Sequence, residues 1–147
     1  MSVRLGFTAV LYRNTATSGE PTWNEIANVR DLTLNLEAGE ADVTMRGNAG
    51  WRATVATLKS ASIEFEMVWD TSDADFTAIK DAFFANGALE FAVMDGPITM
   101  AGAQGLRATC AVTNFSRNEA LEEAIKVSVT LKPTLAATPP TWLVVAA

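Results

Sequence analysis

Histidine is absent from the sequence, which removes the commonest general base, a common zinc ligand and the usual activator of a nucleophile. There is a single cysteine, Cys110, so no internal disulfide can form, and this fits a reducing compartment. Cys110 falls inside a strand-like pattern without a histidine partner, so we interpret it as a small core residue. These absences predict a protein that is not an enzyme and uses no metal and no cofactor.

Two arrangements of carboxylates are the remaining candidates for a metal-binding or catalytic site. The string from Asp70 to Asp75 resembles a calcium loop, but it lacks the glycine at the sixth position and has Ala74 at the fifth. Glu64 and Glu66 share one face of a predicted strand and are the candidate pair for acid–base work. Nothing beside them in the sequence distinguishes them from solvated carboxylates. An enzyme therefore stays open only as the least favoured alternative, which loss of activity in a Glu64→Gln variant would support.

Long apolar runs are also missing. The apolar run nearest the end, Trp142 to Ala147, is far shorter than the roughly 20 residues that cross a bilayer. Leu5 to Tyr12 follows Arg4, but Gly6 and Thr8 interrupt it and no small-residue cleavage site follows. We interpret that stretch as a strand, and expect a protein made in a cytoplasm and not associated with a membrane.

Basic residues are fewer than acidic ones, and the formal net charge is −6. Between Ser62 and Asp95 eight acids stand against one base, Lys80, so this segment carries most of the negative charge. An acidic balance disfavours binding of nucleic acid through its phosphates. The plain interpretation of the acidic segment is a solvated surface.

The main pattern in the sequence is the alternation of apolar and polar residues. The clearest run is Ala61 to Trp69, and others are Trp23 to Leu36, Leu89 to Asp95, Leu106 to Phe115 and Ala124 to Lys132. One-sided alternation is typical of antiparallel sheets with one buried face. The fold class that we expect is mainly β, an antiparallel β-sandwich or barrel of about six to eight strands.

One segment, about residues 73–86, has the pattern of a helix packed on that sheet. Ser72 is its expected N-cap, and Asn86-Gly87 its expected C-terminal stop. The apolar stripe expected to face the sheet consists of Phe76, Ile79, Ala82 and Phe83.

Two segments fit neither pattern. Residues 37–54 are rich in glycine, alanine and charge, and we interpret them as a long functional loop within a β domain of residues 1–133. Residues 134–147 contain Pro139-Pro140 and are predicted to be an extended C-terminal tail. Its apolar end either folds back on the core or docks on a neighbouring molecule.

The order of several short motifs resembles the major tail tube family of long-tailed bacteriophages, which also occurs in gene transfer agents. The first is the stretch from Trp23 to Glu37, followed by Asp42-Val-Thr44-Met-Arg46, an Asp-x-Thr-x-Arg pattern. Gly50-Trp51-Arg52, the strand from Ala61 to Trp69 and the helix beginning near Asp75 follow in the same order. The resemblance covers roughly residues 5–133, and the Pro-Pro-Trp tail lies outside it.

This resemblance implies a structural subunit that forms homohexameric rings, and the rings stack into a tube through which DNA passes without sticking. Further partners that it implies are tail tip, tape-measure and terminator proteins. The expected location is the virion tail, or a gene transfer agent particle, assembled in the host cytoplasm. An acidic channel wall would suit such a role, since like-charged surfaces do not trap phosphate.

Three sets of site residues follow from these expectations. Candidates for ring-to-ring contact are Asp42, Arg46, Trp51 and Arg52 in the loop, because an exposed indole commonly marks an interface. Candidate contacts of the tail are Trp142, Leu143 and Val144. Candidate channel-lining acids are Glu64, Glu66 and Glu90, although the sequence leaves open whether they face the channel or the outside.

Two alternatives of a different kind remain. One is the tube subunit of a secretion system or contractile particle, or a tail-completion protein. The other is a β-sandwich binding module that does not assemble and uses the loop of residues 37–54 as its ligand site. Electron microscopy distinguishes a stacked tube from single rings, and light scattering identifies a monomeric module.

Overall fold

The structure is a computed structural model that describes residues 3, 5–16, 20–119, 121–122 and 124–146. Residues 1, 2 and 147, at the ends of the two predicted segments 1–133 and 134–147, lie outside the described residues. Eight strands and one α-helix are described: β1 Val10–Asn14, β2 Trp23–Glu25, β3 Val29–Asp42, β4 Thr54–Val68, α1 Ala74–Ala85, β5 Ala88–Met94, β6 Gln104–Asn118, β7 Lys126–Pro133 and β8 Thr141–Val144.

The described strands form one antiparallel sheet in the order β2-β1-β5-β6-β7-β4-β3, with β8 paired to β6 off this path. The sheet does not close into a barrel. The prediction of a mainly β fold with one helix is confirmed. Where we expected a sandwich or barrel, one sheet carries all eight described strands, because β6 is 15 residues long and pairs with three other strands.

The main core lies between one face of the sheet and α1. Alternate residues of β4 and β7 point into it, with Ile63, Phe65 and Met67 facing α1 together with Val127, Val129 and Leu131. From the helix, Phe76 and Ile79 are buried against this face and Phe83 packs beside it, as the stripe predicts.

The helix begins one residue later than expected. Asp73, not Ser72, is the N-cap, and its carboxylate accepts a hydrogen bond of 3.3 Å from the backbone N–H of Phe76. Ser72 instead donates its hydroxyl to Asp70 within the preceding turn. Asn86 ends the helix in the left-handed conformation with φ of 55°.

A second, smaller core lies on the opposite face of the sheet. Tyr12, Ala92, Met94 and Ala103 form it, and the segment between β5 and β6 covers it. The backbone N–H of Ile98 in that segment donates to the Tyr12 hydroxyl at 2.9 Å. The middle of the sheet is therefore buried on both faces, which the one-sided alternation did not predict.

Two expected elements differ in the structure. The first strand begins at Val10, because Gly6–Thr8 form a 3₁₀ turn closed by a bond from the Ala9 N–H to the Gly6 carbonyl. The long loop expected at residues 37–54 is shorter in the structure, because β3 continues to Asp42 and β4 begins at Thr54. Only residues 43–53 connect them, since the small and charged residues that blur the sequence pattern still pair as an antiparallel ladder.

Candidate assembly surfaces

The outer part of the β3–β4 hairpin, residues 36–42 and 54–61, extends beyond the rest of the sheet. Pairing of β4 with β7 stops at Ile63, while pairing of β4 with β3 continues to Asp42 and Thr54. A bulge between Ala38 and Glu40 shifts the register along the way and adds local twist. The hairpin is thus a two-stranded arm that carries residues 43–53 away from both cores.

Local hydrogen bonds give the end of this arm, residues 43–53, a defined conformation. Asp42 Oδ1 accepts from the backbone N–H of Thr44 at 2.9 Å and from its hydroxyl, and these bonds lower the Asp42 pKa. The Ala53 N–H donates to the Thr44 hydroxyl oxygen at 2.9 Å, which closes the hairpin. Asn48 Nδ2 donates to the Trp51 carbonyl at 2.9 Å, across a turn. We call residues 43–53 the arm tip.

The arm tip presents apolar side chains to solvent. Trp51 is 77% exposed and Met45 74%, with Val43 beside them at 43%. Arg46 and Arg52 are also exposed and make no ion pair among the described residues. Of the four candidate contact residues, three therefore stand at the arm tip and are accessible, and Asp42 holds the tip in shape. Exposed aromatic and arginine side chains are typical of protein interfaces.

A four-stranded panel with two unpaired edges leads up to this arm. It consists of the second half of β6, then β7, β4 and β3. No described strand pairs with the outer edge of β3, and pairing of β5 with β6 ends at Ala111, so residues 112–118 have a partner only in β7. Two free edges on one panel form a ready template for pairing with other chains.

One face of the panel is polar and none of its side chains is buried. Register places Thr33, Glu64, Thr130 and Asn114 in one row, and Glu66, Ser128 and Ser116 in the next. Glu64 is exposed and Glu66 half-buried, and neither forms an ion pair among the described residues. The panel thus separates an apolar face against α1 from a hydrated face of small polar side chains and carboxylates.

A family model matches the part of the chain that carries these surfaces. Residues 6–138 match the model described as phage tail tube protein. The chain belongs to this tail tube family. The match includes the arm and the panel, and it confirms the family resemblance of the sequence motifs. No curated protein sequence matches the chain.

Solved structures of tail components share the fold of this tail tube family member. The tail of an empty gene transfer agent particle, refined with C6 symmetry, superposes with a TM-score of 0.74 at 19% identity, over 96% of this chain and 99% of that one. The SPP1 tail tube gives 0.69 at 14% identity, over 88% of this chain and 75% of that one. The baseplate of the anti-feeding prophage gives 0.64 at 8% identity, over 100% and 99% of the two chains. At these identities the likeness concerns the fold.

Glu90, the third candidate channel acid, has a different setting from Glu64 and Glu66. Its carboxylate accepts from Arg107 Nε at 3.2 Å and from Asn14 Nδ2 at 2.8 Å. The Arg107 guanidinium also lies 5.4 Å from the ring centroid of Trp23. Glu90 lies on β5, outside the panel, with its charge compensated, so the structure does not place it with the other two carboxylates.

The three candidate tail residues also separate. Leu143 packs against the second core, while Trp142 and Val144 are 53% and 55% exposed on the other face of β8. The Trp142 indole N–H donates to Gln104 Oε1 at 3.0 Å. The tail therefore folds back on its own sheet through Leu143, and its exposed side lies next to the root of the arm.

Sequence reasoning missed two features of these surfaces. Leu121, in the turn between β6 and β7, is fully exposed, and no sequence motif includes it. Asp75 is buried and hydrogen-bonded to Arg13 and Asn24, whereas we expected a solvated carboxylate at the helix start.

Among the described residues, no cluster of three or more metal-binding side chains occurs, and no helix has the length and apolar character to cross a membrane.

Proposed function

We propose that the chain is the structural subunit of a tail tube, in which six copies close a ring and rings stack head to tail around a channel for DNA. The observation that carries this proposal is the panel with two free edges and one hydrated face. The family supports it, and so does the sixfold symmetry of the gene transfer agent tail.

Closure of a ring follows from the panel edges. The outer edge of β3 in one copy pairs with the free segment of β6, residues 112–118, in the next copy, which removes both edges at once. Six panels of four strands make a barrel about 48 Å across between backbones, at about 4.8 Å per strand and a tilt of about 40°. Such an opening admits a DNA duplex.

The polar face of the panel is the proposed channel wall. Its apolar counterpart is already covered by α1, so the face that remains for the water-filled side is the one with Glu64 and Glu66. Repetition around a ring multiplies these charges, and a negative wall keeps DNA phosphates from adhering. We assign Glu64 and Glu66 to this wall and leave Glu90 out of it because Arg107 compensates its charge.

The arm tip is the proposed contact between rings. It reaches past the end of its own panel and carries an exposed tryptophan, so it meets whichever ring lies beyond that end. Arg46 and Arg52 accompany Trp51 there and have no partner among the described ion pairs. At the two ends of the finished tube the same surfaces would meet tail tip, tape-measure and terminator proteins.

On this proposal the protein is located in the tail of a phage or gene transfer agent particle and acts by its shape and charge, not by catalysis. A second candidate is a component of a contractile particle. The similarity of fold to the anti-feeding prophage baseplate favours it. Indefinitely long tubes formed by the pure protein support a tail tube, whereas closed single rings support a baseplate-type component.

Electron microscopy and light scattering of the purified protein test the proposal. We expect rings and stacked tubes at high micromolar concentration. Trp51→Ala, or deletion of Met45 to Gly50, should abolish tubes and leave the circular dichroism spectrum unchanged. Phe84→Ala is the matched control, because Phe84 is 74% exposed on α1, away from the arm tip. A protein that remains monomeric in all conditions contradicts the proposal and favours the binding module.

The channel wall has its own test. In a Glu64→Cys variant a small maleimide should label both monomers and tubes, while a bulky polyethylene-glycol maleimide should label monomers only. Asp81→Cys on the exposed side of α1 is the control that both reagents should label in either state. Equal access of the bulky reagent to Glu64→Cys in tubes would show that this face lies outside.

A further inference from the structure

An apolar groove lies at the root of the arm. It has a volume of about 770 Å³ and lies between the arm on one side and β6 with β8 on the other. Leu36 and Trp142 line it and are 54% and 53% exposed, so the groove presents apolar surface to solvent. Ala61 and Pro133 form part of its floor. Exposed apolar surface in a concave site is typical of a docking surface.

The rim of this groove is basic. Lys59 and Lys132 both line it, against a single acid, Glu37. Neither lysine takes part in an ion pair among the described residues. The groove thus combines an apolar floor with two available positive charges, and its preferred occupant carries an apolar side chain flanked by carboxylates.

The turn between β6 and β7 has that chemistry. Residues 119–125 contain three glutamates and no basic residue. Leu121 in this turn is 100% exposed. Glu122 beside it is exposed as well, while Glu119 is ion-paired with Arg117.

The groove and the turn lie at opposite ends of the same strand pair. Asn118 pairs with Lys126 next to the turn, whereas Cys110 pairs with Pro133 next to the groove. Seven residue steps of β7 separate the two ends, or about 24 Å at the rise of an antiparallel strand. A chain cannot bring its own turn to its own groove, but a second copy in the same orientation can. A contact of this kind is heterologous and repeats indefinitely along one axis.

We infer that the β6–β7 turn of one subunit docks into the groove of the subunit below it in the neighbouring ring, with Leu121 on the apolar floor and Glu122 beside Lys59 and Lys132. This inference rests on the proposed function, since it names the partner surface of the contact between rings. It is consistent with the arm, because the arm tip and the groove lie at the same end of the panel and both face the turn end of the next ring.

Replacement of Leu121 tests the docking directly. Leu121→Asp adds a charge at a fully exposed position, so the monomer should fold and rings should form, but tubes should be lost. Leu121→Met keeps the apolar contact and should form tubes as the unchanged protein does. Normal tubes from Leu121→Asp overturn the docking alone. Loss of rings together with tubes also overturns it, because the turn would then act within a ring.

Charge reversal tests the choice of partner. Lys59→Glu should shorten tubes to single rings, and addition of Glu122→Lys to the same chain should restore them, because the pair is again of opposite sign. The restoration should weaken at high salt. If Glu122→Lys brings no recovery, the turn and the groove do not face each other.

Crosslinking gives a readout independent of tube length. Ala38 lines the groove on the same face of the arm as Leu36, so a chain with Ala38→Cys and Leu121→Cys, treated as tubes with a flexible bis-maleimide, should yield a covalent ladder well beyond dimers. Each single variant should yield no ladder. The native thiol does not compete, since burial raises the pKa of Cys110 to about 12. Absence of the ladder in intact tubes overturns the docking, whereas a protein that never associates overturns both the docking and the proposed function.

Discussion

Arg13 donates a hydrogen bond of 2.7 Å from Nε to Oδ1 of Asp75, and this joins β1 to the first turn of α1. The other carboxylate oxygen of Asp75 accepts from Asn24 Nδ2, also at 2.7 Å. The two charged side chains are 14% and 5% exposed. A helix over one face of the sheet is thereby fixed to β1 and β2, and both oxygens of a buried carboxylate are satisfied.

Removal of the arginine leaves that carboxylate buried without its counter-charge. We expect Arg13→Met to lower the free energy of unfolding by about 3 kcal/mol. Urea unfolding at a concentration where the protein is monomeric measures this. Addition of Asp75→Asn should recover part of the loss, because no buried charge then remains. Lys80→Met, at a solvent-exposed pair, should change the value by less than about 0.5 kcal/mol.

Gly105 is required where β6 passes β5. A Cβ at this position would lie 1.7 Å from the carbonyl oxygen of Val93, a backbone atom that cannot move away alone. We expect Gly105→Ala to destabilise the fold by about 3 kcal/mol or more, seen as a lower melting temperature or loss of soluble protein. At Gly47 an added Cβ meets nothing within 4 Å, so Gly47→Ala should melt as the unchanged protein does.

Leu143 and Val144 are neighbours on β8 and lie on opposite faces of that strand. Leu143 packs against the second core, and Leu143→Ala should cost about 1.5 kcal/mol, less than for a fully buried leucine. Val144 is 55% exposed, so Val144→Ala should stay within about 0.5 kcal/mol. Chemical unfolding of the two variants measures both. Equal losses would contradict the pairing of β8 with β6.

The arm tip should respond to acid through Asp42. Hydrogen bonds from the Thr44 hydroxyl and backbone N–H hold the Asp42 pKa below the ordinary value of an aspartate, so they stabilise the tip above that ordinary value and are lost as the pH falls through the lowered pKa. Thr44→Val removes the hydroxyl donor, so the Asp42 pKa should rise toward the ordinary value of an aspartate. An NMR titration of the monomer measures this, and Asp70, whose pKa Ser72 lowers, should titrate unchanged in the same sample.

Much of the fold could be predicted because alternation reports which side of a strand is buried. The run from Ala61 to Trp69 gave β4 its buried face, and the stripe of Phe76 and Ile79 gave α1 its own. The arm was missed because alternation reports burial, and residues 36–40 are exposed on both faces of the strand. Its strands are held by backbone pairing, which side-chain periodicity does not record.

Some residues of the candidate surfaces could be predicted from the sequence and others could not, for the same reason. The exposed tryptophan of the arm tip and the polar row with Glu64 could be named from local sequence. The compensation of Glu90 by Arg107, 17 residues away, could not, because it depends on the pairing of β5 with β6. A role for Leu121 could not be predicted, because a single leucine among glutamates forms no periodic pattern or motif.

By itself, the sequence determined the local preferences of the chain: strands, one helix, an excess of carboxylates and no histidine. Only the tertiary structure decided which strands are neighbours, and with them the two free edges, the buried Asp75 and the separation of the turn from the groove. Side-chain period fixes the face that a segment buries, whereas strand order depends on contacts between residues far apart in the chain. The surfaces through which copies of this protein meet are products of that order.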